Sequence, residues 1–437
     1  MTDTNSSEYL VSTNPDDTPP LSTAIPLGIQ HVLAMFAGNV TVPIIIAGAA
    51  SLGVEDKVFL IQMAMFTAGI ATLIQTVGLG PVGARLPIVQ GTSFAFIPIM
   101  IPIVKGASLA TLFGATLIGG IFHFLLGTII GRLKFLFPPL VTGLVVASIG
   151  LALIPVGIQY AAGGAGRPPP DFGELHNWAL ALLTLAVILG LKFFTRGFSA
   201  AAAVLIGLIV GYVAAIPFGM VNFSNVASAQ WIAIPEVMKY GFDFQTAAIL
   251  GMCIIAVVSA IETIGDINGI TKGGANRDAT DREISGGTMA DGLGSAIASL
   301  FGGMPNTSYS QNVGLVALTG VMSRHVVTIG AIFLIAAGLI PKIGALVAAM
   351  PNPVLGGAAI VMFGMITGAG IKLLNDVNMN RRNMMIIALS LAIGFGLKSV
   401  PDAVKFAPQT LKILLTSGLF PAAFIAVVLN LLLPDEI

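Results

Sequence analysis

Runs of about 20 apolar residues, the length a helix needs to cross a hydrocarbon core of roughly 30 Å, recur along almost all of this sequence. They begin near Pro26, Val58, Pro87, Ala107, Pro138, Trp178, Ser199, Gln245, Ile284, Gln311, Val326, Pro353, Asn383 and Thr410. Such runs leave few ways to fold. In lipid every backbone polar group must be satisfied inside the protein, so the runs become helices packed on one another. Charged residues make up 9% of the chain and apolar residues 56%, whereas water-soluble domains carry roughly 25% charged residues. The expectation is an all-α polytopic membrane protein with about 14 transmembrane segments.

The polar remainder marks the boundaries. Residues 1–25 hold Asp3, Glu8, Asp16 and Asp17 with no Lys or Arg. They lack the basic start of a signal peptide and read as a disordered cytoplasmic tail. With the N-terminus inside, the loops on that side carry Arg85, Arg132, Lys134, Lys192, Arg196, Lys272, Arg277, Arg282, Arg324, Lys372, Arg381 and Arg382. These twelve cations face eight on the other side, including Arg167, a bias that favours both termini in the cytoplasm. No stretch is long enough for a separate soluble domain. The net charge is zero and the Lys and Arg form no stripe, which removes the field that nucleic acid binding requires. The single Cys253 lies in an apolar run, excludes a disulfide framework or a Cys-based metal site, and reads as a packing residue.

Two short matches point to an internal repeat. Pro139–Gly143 and Pro353–Gly357 both open Gly-rich spans, 214 residues apart, and Thr92-Ser93-Phe94 matches Thr307-Ser308-Tyr309 at an offset of 215. Seven spans per half is an odd number, so two such halves are inverted relative to each other. That divides the chain into a first seven-span repeat at 26–217, an external connecting loop at 218–244 and a second repeat at 245–434. Paired interrupted segments in inverted repeats point to a transport site near the midplane. Here they are the third segment, Leu86 to Ile103, and the tenth, Asn306 to Thr319. The stretches Gln90 to Phe94 and Thr307 to Gln311 read as short extended strands ahead of half-helices. Extended backbone at that depth must pair or line a cavity, and the half-helix N-termini then offer N–H donors to a solute. Two ordinary kinked helices are the alternative.

An ionised carboxylate at the centre of a span costs roughly 2.5–3.5 kcal/mol on insertion scales. Glu262 and Asp266 share one helix face by their i,i+4 spacing, and no cation in their span neutralises them. Asp291 opens Asp-Gly-Leu-Gly294, where it serves either a buried network or a helix N-terminus. His31 follows Gln30 inside the first span and can tie two helices together or sit beside a proton path. His123 and Gln75 read as packing residues. Gln311-Asn312 opens the second half-helix, and paired amides suit an uncharged heterocycle that displays N–H and C=O groups. Amides also cap helices, a reading that stays open for Asn312 above all. The sequence contains no Gly-rich phosphate loop with a following Lys, no HExxH and no GxSxG. An ATPase or hydrolase lacks support, and transport driven by an ion gradient remains.

These motifs together resemble the nucleobase–ascorbate transporter family, the second nucleobase:cation symporter family. Its motif of Gln or Glu, Asn, any residue, Gly and, after four more residues, Thr stands here as Gln311-Asn312-Val313-Gly314 through Thr319. Around it, in family order, lie Gln30-His31, Gln90-Gly-Thr-Ser-Phe94, Glu262-x-x-x-Asp266 and Asp291-Gly292. The resemblance covers most of residues 25–434. It implies 14 spans in two inverted sevens, a core and a gate domain, a homodimer and proton symport in a bacterial inner membrane. By position, Glu262 and Gln311 would grip the base, and Phe94 and Ser310 would lend backbone N–H groups, with Phe94 also stacking on the ring. Asp291, Asp266 and His31 would form the proton-coupling network, and Asn312 would hold the motif together. Gln311 and Asp266 favour the xanthine and uric acid branch, and the small Ser93 would leave room for the extra oxygen of uric acid.

The expected function is thus symport of an oxopurine with a proton by alternating access, with no cofactor beyond that coupling ion and no enzymatic step. A desolvated carboxyl can exchange a proton, which makes Glu262 and Asp291 the candidate carriers. A uracil or other nucleobase symporter is the near alternative. An anion exchanger of the same fold would put a cation, or bare helix N-termini without acids nearby, at the site, and the carboxylates count against it. An intramembrane enzyme would need a nucleophile and base or a metal cluster, and neither spacing is present.

Overall fold

The computed structural model describes residues 13–133, 138–164, 171–375 and 377–434. Residues 1–12 of the expected tail, with the loop cations Lys134 and Arg167, lie outside them. The first half opens with α1 (Leu21–Ala49) and α2 (Val54–Val77), then β1 (Gln90–Thr92), a 3-10 turn at Phe94–Phe96 and α3 (Ile97–Gly106). It continues through α4 (Leu109–Leu133), α5 (Pro139–Ala161), α6 (Leu175–Phe194), α7 (Phe198–Ala201) and α8 (Ala203–Ala215). A long link, interrupted by α9 (Ser224–Ser228), leads to α10 (Thr246–Ala275), α11 (Asp281–Leu300), β2 (Asn306–Ser308) and α12 (Ser310–Thr319). Then come α13 (Arg324–Gly338), α14 (Pro341–Ala348), α15 (Asn352–Asn375), α16 (Arg381–Ser399), α17 (Gln409–Thr416) and α18 (Leu419–Leu432).

Seven of the described helices are long and apolar enough to cross a bilayer, or eight when α13 and α14, bent by 80° at their junction, count as one span. The others reach the interior by different routes. The 3-10 turn with α3, α8 and α18 are apolar but short. α11 is full length yet rich in Gly, Ser and Thr. Its small residues let it lie against α4, where a Cβ added at Gly120 or Gly292 would meet the opposing backbone. Between helices in lipid, van der Waals packing of this kind replaces water exclusion as the source of association. The start of α11 is secured by a reciprocal capping box between Thr280 and Glu283. Arg277 grips the same Glu283 with two hydrogen bonds of 2.8 and 2.6 Å.

Residues 13–25 depart from the expected disordered tail. α1 begins at Leu21, five residues before the expected start, and runs through Pro26 and Pro43 in its interior. Ahead of it, the Pro15 carbonyl accepts from Arg324 N at 2.9 Å and the Asp17 carbonyl from Ser323 Oγ at 2.5 Å. Asp16 pairs with the Arg324 guanidinium at 2.7 Å.

The helices pack in matched pairs. α5 lies along α15, α4 along α11 and α2 along α13; α1 meets α13 as α10 meets α4, and α6 meets α8 as α16 meets α18. The largest apolar cluster, with Ile45, Leu60, Phe113, Leu144 and Phe363 among its members, spans both halves. At the centre the two strands pair antiparallel, with Gln90 opposite Ser308, Gly91 opposite Thr307 and Thr92 opposite Asn306.

Candidate functional site

The strand pair solves the problem of extended backbone at membrane depth. Beyond the ladder, Ser93 N donates to Pro305 O at 2.8 Å and Tyr309 N to Val89 O at 3.1 Å. Side chains of the long helices satisfy the outer edges. Gln90 N donates to Thr72 Oγ1, and Thr92 N to Asn39 Oδ1, each at 2.9 Å. Asn39 O accepts in turn from Thr92 Oγ1 at 2.8 Å. Gly91 permits this approach, because a Cβ there would lie 2.7 Å from the Tyr309 ring and 2.8 Å from Asn39 Oδ1.

Each strand feeds directly into a helix start, and both starts border one cleft of about 20 Å³. Phe94 contributes from the 3-10 turn, Ser310 and Gln311 from α12, Glu262 from α10 and Ile366 from α15. Ser310 and Gln311 belong to the half-helix rather than to extended backbone as expected. The N–H groups of Phe94, Ser310 and Gln311 make no hydrogen bond among the described residues, as the first turn of a helix requires. They remain available to a ligand. The Phe94 ring is held edge-on against Phe363 at 5.4 Å between centroids.

The carboxylates divide the work. Glu262 lines the cleft, and its Oε2 is buried without a hydrogen-bond partner among the described residues. Asp266, one turn further along the same face of α10, accepts from Ser308 Oγ at 2.6 Å and Ser310 Oγ at 2.7 Å. It ties α10 to the strand–helix junction. Asp291, fully buried on α11, accepts from Gln90 Nε2 and Thr263 Oγ1 and so holds the other strand. His31 makes no hydrogen bond to any of the three among the described residues. The Asn312 amide donates to His31 Nδ1 and to the His31 carbonyl, each at 3.0 Å, which binds α12 to α1. Ser93 is fully buried and does not border the cleft, and its hydroxyl has no partner among the described residues. Beyond Ser310, Gln311 and Ile366 the cleft continues into a cavity of about 610 Å³ between α12, α5, α15 and the end of α6.

Residues 22–403 match a permease family profile designated Xan_ur_permease. The xanthine permease of Bacillus subtilis is 39% identical over 410 residues, covering 93% of this chain and 92% of that protein. The uric acid transporter UacT of Escherichia coli is 40% identical over 410 residues, 92% of this chain and 84% of the transporter. The chain belongs to the nucleobase–ascorbate transporter family. Membership makes it an integral membrane permease rather than an enzyme. Among solved structures, the transmembrane domain of the cyanobacterial bicarbonate transporter BicA superposes with a TM-score of 0.62 at 15% identity, covering 93% of this chain and 98% of that one. SLC26A9 gives a TM-score of 0.63 at 14% identity, over 94% and 66% of the two chains. At such identity the likeness is one of fold.

Sequence reasoning singled out Glu262, Asp266, Asp291, Gln311 and Phe94 in this nucleobase–ascorbate transporter and missed several residues that position them. Asn39 and Thr72 satisfy the strand, Thr263 holds Asp291, and Tyr309 borders the cleft while its hydroxyl donates to Thr92 O at 2.9 Å. A signal existed for Asn39, an amide inside an apolar span with no cation or acid near it. Thr is too common in spans to stand out.

Proposed function

We propose that this permease carries an oxopurine, xanthine or uric acid, together with a proton across the bacterial inner membrane by alternating access. One observation carries the reading: Glu262, whose carboxylate has a buried oxygen with no partner among the described residues, lines the same cleft as Gln311, Phe94 and Ser310, and the N–H groups of these three make no hydrogen bond among the described residues. A carboxylate accepts from ring N–H groups, an amide meets a neighbouring N–H and C=O pair, and backbone N–H groups receive ring carbonyls. An oxopurine edge presents that alternation. The names of the relatives, a xanthine permease and a uric acid transporter, agree with it. A proton taken up with the base offsets the charge of the acid network, for which Glu262 and Asp291 are the carriers.

The matched helix contacts support two inverted seven-span repeats, because exchanging the halves maps each contact onto its counterpart and leaves β1 with β2, and α5 with α15, as self-paired elements. In this reading a core holding the strands and carboxylates rocks against a gate built on α5, α6, α15 and α16. Both termini lie in the cytoplasm, residues 218–244 lie outside, and the working unit is a homodimer. Uracil is the near alternative substrate. An anion exchanger is disfavoured because Glu262, and no cation, lines the cleft among the described residues.

Uptake of labelled xanthine into proteoliposomes tests the reading. An inward acid gradient should accelerate it, and Glu262→Gln should abolish it. Uptake indifferent to the gradient rejects the coupling, and undiminished uptake by the variant removes Glu262 from the site.

A further inference from the structure

The large cavity changes character along its length. At the inner end stand Ser310 and Gln311; at the outer end stand Lys192 and Arg196, and among the described residues neither Asp nor Glu lines it. Both cations are exposed, and neither makes a hydrogen bond or ion pair among the described residues. α6 ends at Phe194 and Thr195 is extended, and both cations nonetheless line the same cavity, Lys192 from the last helical turn and Arg196 from the link that follows. The intervening Phe193 and Phe194 are largely exposed and take no part in the lining, so the aromatic rings face outward while the charges face the path.

Two contacts fix which face this is. Tyr160, at the end of α5, donates to Ile44 O near the end of α1 at 3.2 Å, and Asn177, at the start of α6, donates to Ala162 O at 3.1 Å. α6 therefore runs opposite to α1, and its last turn lies on the face where α1 begins. Lys192 in that turn is also favoured by the exposed carbonyls of the helix end.

We propose that Lys192 and Arg196 form an anion-recruiting mouth of the transport path, which favours the singly ionised form of an oxopurine over the neutral form at that face. The inference rests on the nucleobase reading above. Two like charges at the rim of a low-dielectric cleft focus the field into it and raise the local concentration of an oppositely charged solute. Salt screens the effect over roughly 10 Å. Farther in, the acids around the cleft reverse the sign, so the mouth selects an anion that the inner site then holds together with a proton.

The test is counterflow of labelled xanthine in liposomes of zwitterionic lipid, at a mildly acidic pH where xanthine is neutral and urate is an anion. In K192Q/R196Q the half-inhibiting urate concentration should rise about fivefold at low salt, while the half-saturating xanthine concentration stays within about twofold, which also shows that the variant folds. High salt should bring the wild-type urate value up to that of the variant, and K192R/R196K should behave as wild type. Equal changes for urate and xanthine overturn the proposal. So does an effect that appears only after anionic lipid is added, which would assign the cations to lipid headgroups. Absence of xanthine counterflow in the wild type overturns the nucleobase reading itself, and the mouth with it.

Discussion

The Asp266 carboxylate accepts a hydrogen bond from the Ser310 hydroxyl at 2.7 Å, so the helix that carries Glu262 and the half-helix that carries Gln311 are fastened together at the wall of the cleft. A second bond, from Ser308 at 2.6 Å, fixes the strand that precedes the half-helix. Asp266 thereby sets the distance between the two side chains that the proposed site uses.

Removing that fastening should loosen binding more than it lowers the amount of folded protein. Hydrogen bonds to a charged group contribute about 1.5–3 kcal/mol, so Asp266→Ala should raise the KM for xanthine uptake roughly tenfold or more. Asp266→Asn keeps one carbonyl acceptor and offers an N–H to the second serine oxygen, and should lose only about threefold. Equal KM values for wild type and Asp266→Ala would show that the tie is dispensable.

Gly91 is where the strand crossing tolerates no side chain. Gly91→Ala would drive a methyl into the Tyr309 ring and Asn39 Oδ1, and overpacking of this kind costs typically about 1–3 kcal/mol. The Tm of the detergent-solubilised protein should fall and xanthine uptake should fail with it. An unchanged Tm would mean that the strands can separate without cost.

The contact between His31 and Asn312 is buried at both ends. Asn312→Ala leaves the His31 ring nitrogen and carbonyl without their donor, a loss of about 1–3 kcal/mol. Since His31 and Asn312 work as a unit, His31→Ala combined with Asn312→Ala should cost clearly less than the two single changes added together. Thermal melts of the four proteins measure this, and additive losses would show that the two residues act separately.

Outside the spans, the connecting link is pinned by Asp243, which accepts from Thr111 Oγ1 at 2.7 Å and from Gln245 Nε2 at 2.9 Å. The Thr111 bond first, then the Gln245 bond, holds the Asp243 carboxyl below its ordinary value of 3.8. A depressed carboxyl stabilises the fold fully above the ordinary value, and the contribution fades as pH falls through the lowered one. The Tm gap between wild type and Thr111→Val should therefore be constant near neutrality and close in acid. A gap that persists at the most acidic pH would assign the effect of Thr111 to packing.

Much of the site was legible because carboxylates in apolar helices have few reasons to exist. The i,i+4 pair Glu262 and Asp266 stood out on that ground, although the sequence could not say that one faces the cleft and the other fastens the backbone. Asn39, Thr72 and Thr263 stayed hidden because their role is created by strands that return from elsewhere in the chain. Under the repeat proposed above, the sequence match is one residue out of register. Matching Thr92-Ser93-Phe94 to Thr307-Ser308-Tyr309 pairs Phe94 with Tyr309, whereas the strand register makes Phe94 the counterpart of Ser310, the first residue of its helix. Side-chain likeness misled there, because Tyr309 still lies in extended backbone. α11 starts at Asp281, three residues before the Ile284 expected, and the glycines that fit it to α4 leave it poor in apolar residues.

The pairing of Gly91 with Thr307 also bears on how the protein is made. Until Thr307 has left the ribosome, the Gly91 amide and carbonyl have no strand partner, although Thr72 and Asn39 can already satisfy the Gln90 and Thr92 amides, and each group left unpaired would cost several kcal/mol in lipid. The first half of the chain cannot finish its own third segment in the membrane. Insertion of the two halves is thus obligatorily joined at one three-residue ladder, and a truncated first half should be retained by the insertion machinery or degraded rather than accumulate as a half-built carrier.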